Sequence, residues 1–247
     1  MISSLSPIDW AIFLAAAFVI GLNKSGIKGI SIINVVLLVF VFGAKASTGI
    51  LLPMLLVGDI FAVIYYNRHA QWKYLVRLLP FMMLGVALGA WVGDSMSEEV
   101  FRKSMAIVIL LSVIVMFWWD RRKSKQVPNH ISFAGVMGLS AGFTTMVGNL
   151  AGSFVNLFFL AMRLPKTAFI GTTAWLFLII NLFKVPFHVF SWETITLETA
   201  TVSATSIPAI FLGLFIGVRL LKKGSDAFFR KFILVVTGIG AVLIFFT

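Results

Sequence analysis

The chain contains no cysteine and few acidic residues, and both shortages exclude whole classes of protein. Without cysteine it can form neither a disulfide framework nor an iron–sulfur cluster nor a thiolate-bound zinc site. Only 9 of its 247 residues are Asp or Glu, and charged residues of both signs make up 12% of the chain. Since a soluble domain carries roughly 25% charged residues, this chain cannot cover itself with a water-facing exterior.

What the chain has instead is a large surplus of apolar residues. They make up 60% of the sequence, and the mean hydropathy is +1.03. A membrane-spanning helix takes roughly 20 residues, so the length allows about ten of them and no sizeable soluble domain. The sequence therefore predicts an all-α, polytopic membrane protein that lies in a lipid bilayer. Its 20 Lys and Arg residues, against 9 Asp and Glu, are typical of cytoplasmic loops and do not indicate nucleic-acid binding.

Long apolar runs predict about ten (8–10) transmembrane segments. The positive-inside rule places the basic stretch 120–125 in the cytoplasm, and alternation from there puts most of the 20 cations on the same side. Tryptophans at segment ends, such as Trp192, are expected to be interfacial anchors. The first two segments, and likewise the sixth and seventh, are short, so each pair is predicted either to cross twice or to form a re-entrant hairpin. The segments are 8–22, 27–43, 49–66, 74–93, 104–119, 131–149, 150–162, 170–190, 199–220 and 228–246.

The two halves of the chain are related by an internal repeat. Matched positions include Gly26 with Gly148, Ser31 with Ser153, Asn34 with Asn156, Asp59 with Asn181, Gly85 with Gly213, and Gly89 with Gly217. Because each half holds five predicted segments, an odd number, the second half must enter the membrane in the opposite orientation. The predicted organisation is two inverted repeats joined by a basic cytoplasmic linker. The three parts are 1–119, 120–130 and 131–247.

An inverted repeat indicates a transporter rather than an enzyme. It is a recurrent architecture of secondary transporters, whose substrate site lies near the midplane where the halves meet. A duplicated membrane scaffold without transport is the alternative. The three histidines are scattered, and the chain has no metalloprotease helix and no Walker A loop. No catalytic residue, cofactor or metal is therefore expected. The glycine pairs at 85/89 and 213/217 are interpreted as helix-contact faces.

Each half contains a Gly-rich break after its first segment, at 21–34 and 142–156. A helix that starts directly after such a break directs free N–H groups and its positive dipole end at the break, which favours an anion. The alternative is that the glycines only pack helices and that the lysines are ordinary loop residues. The predicted substrate-binding residues are Lys24, Gly26, Lys28, Gly29, Ser31, Asn34, Gly148, Asn149, Gly152, Ser153 and Asn156.

Asp59 is the one acidic residue in the middle of an apolar segment. An ionisable group at that depth costs at least ~2.5 kcal/mol, so it is expected to have a function or a partner. Lys184 lies at a similar depth in the other half, close to Asn181. Asp59 is thus predicted either to take up a proton during transport or to form a structural pair with Lys184 or with an asparagine, and the pair is favoured.

Several stretches of the chain resemble the TauE/SafE family of membrane permeases. They are 21-GLNKSGIKG-29, 49-GILLPMLLVGDIFAVIYYNRHAQW-72, and 142-GFTTMVGN-149 followed by 160-LAMRLPKTAFIGTTAWLFLIINLFKVP-186. Members of the family usually carry a proline after a run of glycines in each half, where this chain has Asn34 and Asn156. The resemblance covers essentially the whole chain.

The resemblance implies export of sulfur-containing anions, such as sulfite or organosulfonates, across the bacterial inner membrane without ATP. Alternating access is the expected mechanism. A non-transporting assembly protein and a passive anion channel are the alternatives. Besides the small anion and the bilayer, the expected partners are a coupling proton or counter-anion and, as one alternative, a second copy of the chain in a homodimer.

Overall fold

The computed structural model describes residues 5–26, 30–66, 70–121, 131–162 and 164–220. Every regular element in these ranges is helical, and the last predicted segment, 228–246, lies outside them. The helices are α1 (Pro7–Lys24), α2 (Ser31–Phe42), α3 (Ala44–Tyr66), α4 (Trp72–Asp94), α5 (Glu98–Arg121), α6 (Ile131–Gly148), α7 (Gly152–Ala161), α8 (Lys166–Pro186), α9 (Leu197–Thr205) and α10 (Ile207–Leu220), and α8 continues into a π-helical turn, Phe187–Ser191.

Five of the described helices are long and apolar enough to cross a membrane: α1, α3, α4, α6 and α8 with its π-helical turn. The helices α9 and α10 meet at 41° and make a sixth span if they cross as one broken helix. The prediction of an all-α membrane protein is therefore confirmed for the described residues. The layout of about ten segments in two inverted repeats, with its domain boundaries, stays a prediction.

Two of the predicted segments form helices too short to cross a bilayer alone. Helix α2 has 12 residues and α7 has 10. At 1.5 Å per residue they measure about 18 and 15 Å, roughly half of the ~30 Å hydrocarbon core. Each follows a Gly-rich break, and the residue before each helix, Ile30 before α2 and Ala151 before α7, is buried.

The helices before the breaks end in residues with a left-handed backbone. Helix α1 gives way to Gly26, which has φ 113°, and α6 gives way to Asn149, which has φ 55°. Glycine adopts this conformation at no steric cost, and asparagine tolerates it better than most other side chains. Both helices therefore stop within the predicted breaks.

Glycines bring two pairs of helices into close backbone contact. A Cβ on Gly85 of α4 would stand 3.0 Å from the Cα of Gly142 of α6, and one on Gly213 of α10 would stand 3.1 Å from the Cα of Gly21 of α1. The same atoms would stand 2.3 Å from Leu139 O and 2.1 Å from Phe18 O, and no side chain fits at these two distances. The interpretation of the glycine pairs at 85/89 and 213/217 as helix-contact faces is thus confirmed.

Helix α3 lies at the centre of the described structure, where it packs against α1, α2, α5, α8, α9 and α10. Fully buried side chains such as Leu38, Ile50, Met54, Leu78 and Phe158 form one apolar core around it. Along the α3–α8 contact, Asp59 meets Asn181. The fold therefore brings the matched polar positions of the two halves side by side in its interior.

Candidate functional site

A cavity of about 120 Å³ lies where the two breaks meet α3 and α8. One water molecule needs roughly 10–15 Å³ on this scale, so the cavity has room for several waters or one small ion. Residues from both halves of the chain line it. The predicted site residues among them are Lys24, Gly26, Ser31, Asp59, Asn149, Gly152, Asn156 and Asn181.

Other predicted site residues do not line this cavity. Asn34 is buried within α2, and its Oδ1 has no hydrogen-bond partner in the described part of the chain. Ser153 is turned toward α5, where its hydroxyl donates to the carbonyl oxygen of Ser112 at 3.4 Å. Gly148 packs beside the side chain of Leu150. Lys28 and Gly29 lie outside the described residues.

Asp59 is held from two sides in the cavity wall. Its Oδ1 pairs with the ammonium of Lys24, the last residue of α1, and its Oδ2 accepts a hydrogen bond of 2.7 Å from Asn181 Nδ2 of α8. The structural pair with an asparagine is therefore found. Within the described residues the cation that pairs with Asp59 is Lys24, however, and not Lys184.

Two residues that position Lys24, Gly58 and Phe177, were not predicted from the sequence. A Cβ on Gly58 would stand 2.7 Å from Lys24 Cγ, so any larger residue would push aside the lysine side chain that passes along α3. The ammonium also lies 5.1 Å from the centre of the Phe177 ring, a cation–π distance. Gly58 directly precedes Asp59 in the chain, and a glycine next to the one buried acidic residue is the signal that could have indicated its role.

Lys184 is fully buried and binds the other break. Its ammonium donates to Thr145 O at 2.8 Å and to the side-chain oxygen of Asn149. Thr145 belongs to the last turn of α6, where the negative dipole end favours a cation. Its carbonyl oxygen also accepts a hydrogen bond of 3.0 Å from the backbone N–H of Asn149. Since its Oδ1 is taken by Lys184, Asn149 is left with its Nδ2 group, which is buried without a hydrogen-bond partner among the described residues.

The short helices after the breaks begin at the cavity. Ser31 starts α2 and Gly152 starts α7, and a Cβ on Gly152 would stand 3.9 Å from Ser31 Oγ. Helix α2 has no side-chain cap on its first N–H groups. Two helix N-termini, each with a positive dipole end, therefore meet at a cavity whose polar lining consists of amides, hydroxyls and one ion pair, beside apolar side chains such as Leu55 and Phe177.

The cavity lies along the first part of α8 and does not extend past Asn181. It follows α8 from Asn181 back to Phe169, about 18 Å of helix rise. Beyond Asn181 in the other direction the helices are packed around Trp192, whose ring is 5.3 Å from that of Phe101 and whose Nε1 donates to Ala90 O at 3.0 Å. Trp192 was expected to be an interfacial anchor. This expectation was wrong, because the side chain is only 6% exposed and packs between helices inside the protein.

Fold and site together define a polytopic helical membrane protein with a charged cavity between two broken helices. The family model described as Sulfite exporter TauE/SafE matches residues 12–244. The chain belongs to this family, as its resemblance predicted. Neither a curated protein nor a solved structure matches the chain.

Proposed function

We propose that this protein is a secondary transporter of small anions across the bacterial inner membrane, with sulfite or organosulfonate-type sulfur anions as substrates. Membership of the TauE/SafE family supports the substrate class. In this chain the proposal depends above all on the cavity, where hydrogen-bond donors from both breaks converge. Asn149, Asn156 and Ser31 would donate to the anion, and the N-termini of α2 and α7 would favour its charge.

The transporter is proposed to consist of two inverted repeats of about five segments. The contacts between helices support this, because they recur in matched pairs. The α1–α10 contact through Gly21 and Gly213 has its counterpart in the α6–α4 contact through Gly142 and Gly85. Asp59 and Asn181, which correspond to each other in the repeat, are hydrogen-bonded to one another. Such a pair is expected close to the axis that relates two inverted halves.

Transport is proposed to occur by alternating access, with export as its direction. The cavity extends toward the start of α8, whose first residue is the basic Lys166 and which Arg163 precedes in the chain. The positive-inside rule assigns that end to the cytoplasm. The opposite end is closed by Trp192 and its neighbours. The described conformation therefore corresponds to an inward-facing or occluded state, and opening around Trp192 would release the anion outside.

The experiment that tests this function is flux into proteoliposomes. The purified protein is reconstituted, and uptake of labelled sulfite and of methanesulfonate is followed with an imposed pH gradient in one arm and a membrane potential in the other. Saturable flux of either anion is expected. The gradient that drives it would identify a coupling proton or counter-anion.

A matched pair of variants tests whether the flux depends on the cavity. Asn156→Ala alters the cavity wall, whereas Thr201→Ala alters an exposed residue of α9 that is not among the cavity-lining residues. Reduced flux is expected only for the first. Flux that never saturates would indicate a passive channel, and folded protein without flux of any anion would favour an assembly role.

A further inference from the structure

The charges around the cavity do not balance. Among the described residues, Lys24 and Asp59 line it, and Lys184 lies one side chain behind it, bonded to the lining residue Asn149. The other polar groups of its described wall are amides and hydroxyls. Among the described residues, two ammonium groups and one carboxylate therefore leave a single net positive charge at the cavity.

The hydrogen bonds of Asp59 match an ionised carboxylate. One oxygen accepts from the Lys24 ammonium and the other accepts from the Asn181 amide. Because both oxygens face donors, neither has an acceptor to which a carboxylic-acid proton could be donated. The Lys24–Asp59 pair therefore contributes no net charge.

Lys184 supplies the unbalanced positive charge. Both oxygens that its ammonium contacts are uncharged, and no carboxylate forms an ion pair with it among the described residues. The neighbouring His188 adds no further positive charge. It is buried, its Nδ1 bonds to Thr194 Oγ1 at 2.8 Å, and its Nε2 lacks a partner in the described ranges, which fits a neutral ring.

Helix dipoles do not remove this charge. The C-terminal ends of α1 and α6 and the N-terminal ends of α2 and α7 all lie beside the cavity. Each end carries about half a unit charge, negative at a C-terminus and positive at an N-terminus, so the four ends cancel in pairs. What remains is the ammonium of Lys184, whose influence reaches the cavity through Asn149.

We propose that the site selects singly charged anions, such as an alkanesulfonate or the hydrogen sulfite form of sulfite, over dianions such as sulfate or a disulfonate. This inference rests on the proposed transport of small anions and narrows its substrate class. A bound monoanion brings the charge of the site to zero, whereas a dianion leaves an excess negative charge in a medium of low dielectric constant. Lys184 acts from behind the wall, but even at ~8 Å and an effective dielectric constant of ~20 a unit charge changes affinity by more than tenfold.

Binding to the purified full-length protein tests the inference separately from transport. Methanesulfonate and methanedisulfonate are compared by calorimetric titration, with sulfate as a second dianion. The wild-type protein is expected to bind the monoanion at least about tenfold more tightly than either dianion. Equal or tighter binding of the dianions overturns the inference and leaves the proposed function standing. No binding of any anion to folded protein, together with no flux, removes the proposed function instead.

The repeat offers matched variants that change the charge without changing the shape. Asp59→Asn adds one positive charge and is expected to shift the ratio of affinities at least about tenfold toward the dianions. Asn181→Asp neutralises the site and should lower the affinity for the monoanion by a similar factor. The swap Asp59→Asn with Asn181→Asp returns the wild-type charge. It should recover the preference for the monoanion.

A second route to a neutral site guards against variants that do not fold. Lys184→Gln removes the same charge from behind the wall and keeps a donor for Asn149 Oδ1. This variant is expected to lower the affinity for methanesulfonate as Asn181→Asp does. Elution as a single species on gel filtration serves as the check that it is folded. Wild-type binding of methanesulfonate by folded Lys184→Gln, together with an unchanged ranking of the anions in Asp59→Asn, would mean that charge does not set selectivity and would overturn the inference.

Discussion

The two Gly-rich breaks occupy matched positions in the sequence repeat, yet the lysine found at each break has a different origin and a different partner. The first break carries its own cation, Lys24, which reaches across to Asp59 on α3. The second has no cation within it, and Lys184 of α8 binds it from outside through Thr145 and Asn149. A fold with near-equivalent halves thus holds one break by an ion pair and the other by an ammonium on uncharged oxygens. In the proposed alternating-access cycle the two halves would exchange roles, so this difference would make the two end states unequal.

The largest expected effect comes from breaking the ion pair of the first break. Lys24→Met leaves the carboxylate of Asp59 buried without its cation, and removing one partner of a buried pair costs about 3–5 kcal/mol. Thermal unfolding of the detergent-purified protein measures the loss. Combining Lys24→Met with Asp59→Asn should recover most of the stability, since no unpaired charge remains. A double variant no more stable than Lys24→Met would contradict the pair.

At the second break the corresponding change should cost less. Lys184→Met removes the donor to Thr145 O and Asn149 Oδ1 and leaves no unpaired charge behind, so we expect a loss of about 2 kcal/mol. The same unfolding assay compares it directly with Lys24→Met. Lys184→Gln, which keeps one donor, serves as the control and should lie between Lys184→Met and wild type. If Lys184→Met proved the more damaging of the two lysine variants, the contrast between the breaks would be reversed.

The asparagines at matched positions of α2 and α7 should differ in transport. Asn156 lines the cavity and Asn34 does not, although the sequence analysis predicted both as substrate ligands. Losing one hydrogen bond to an anion corresponds to roughly a tenfold drop in kcat/KM for Asn156→Ala. For Asn34→Ala we expect a change of less than about threefold, because its Oδ1 has no partner to lose among the described residues. Proteoliposome flux decides, and equal losses would place both amides at the substrate.

The smallest contrast concerns glycines near each break. A Cβ on Gly58 would press on Lys24 Cγ at 2.7 Å, whereas one on Gly152 would make an ordinary contact of 3.9 Å with Ser31 Oγ. Gly58→Ala should therefore destabilise the protein by about 1 kcal/mol as the lysine side chain shifts, and Gly152→Ala should stay within ~0.5 kcal/mol of wild type. Unfolding midpoints measure both. Reversed effects would show that Lys24 does not pass over Gly58 as described.

Local features of the sequence predicted much of the fold. Composition and long apolar runs indicated an all-helical membrane protein, and the glycines at 85 and 213 indicated close helix contacts, because hydropathy and residue size are properties of each segment by itself. The ends of α1 and α6 were predictable for the same reason, since Gly26 and Asn149 are residue types that accept a left-handed backbone.

The partners of the buried charges could not be read in this way. Lys184 and Asp59 lie at similar depths in the repeat, which made them a reasonable pair. Their helices nevertheless cross so that Asn181, one turn of α8 before Lys184, faces Asp59. A single turn of helix decides between two partners, and helix rotation is set by packing along the whole contact and not by local sequence. Trp192 was misjudged for a related reason, since its burial depends on α4 and α5 closing over it.

The sequence by itself determined that the chain is an α-helical membrane protein, that its two Gly-rich segments end helices, and which family it resembles. Each of these follows from the chemistry of residues that are neighbours in the chain. Only the tertiary structure decided that both breaks open on one cavity, that Lys24 and not Lys184 holds Asp59, and that Asn156 but not Asn34 lines the wall. These outcomes depend on how helices distant in sequence rotate and cross, because a side chain finds its partner only after the helices have packed.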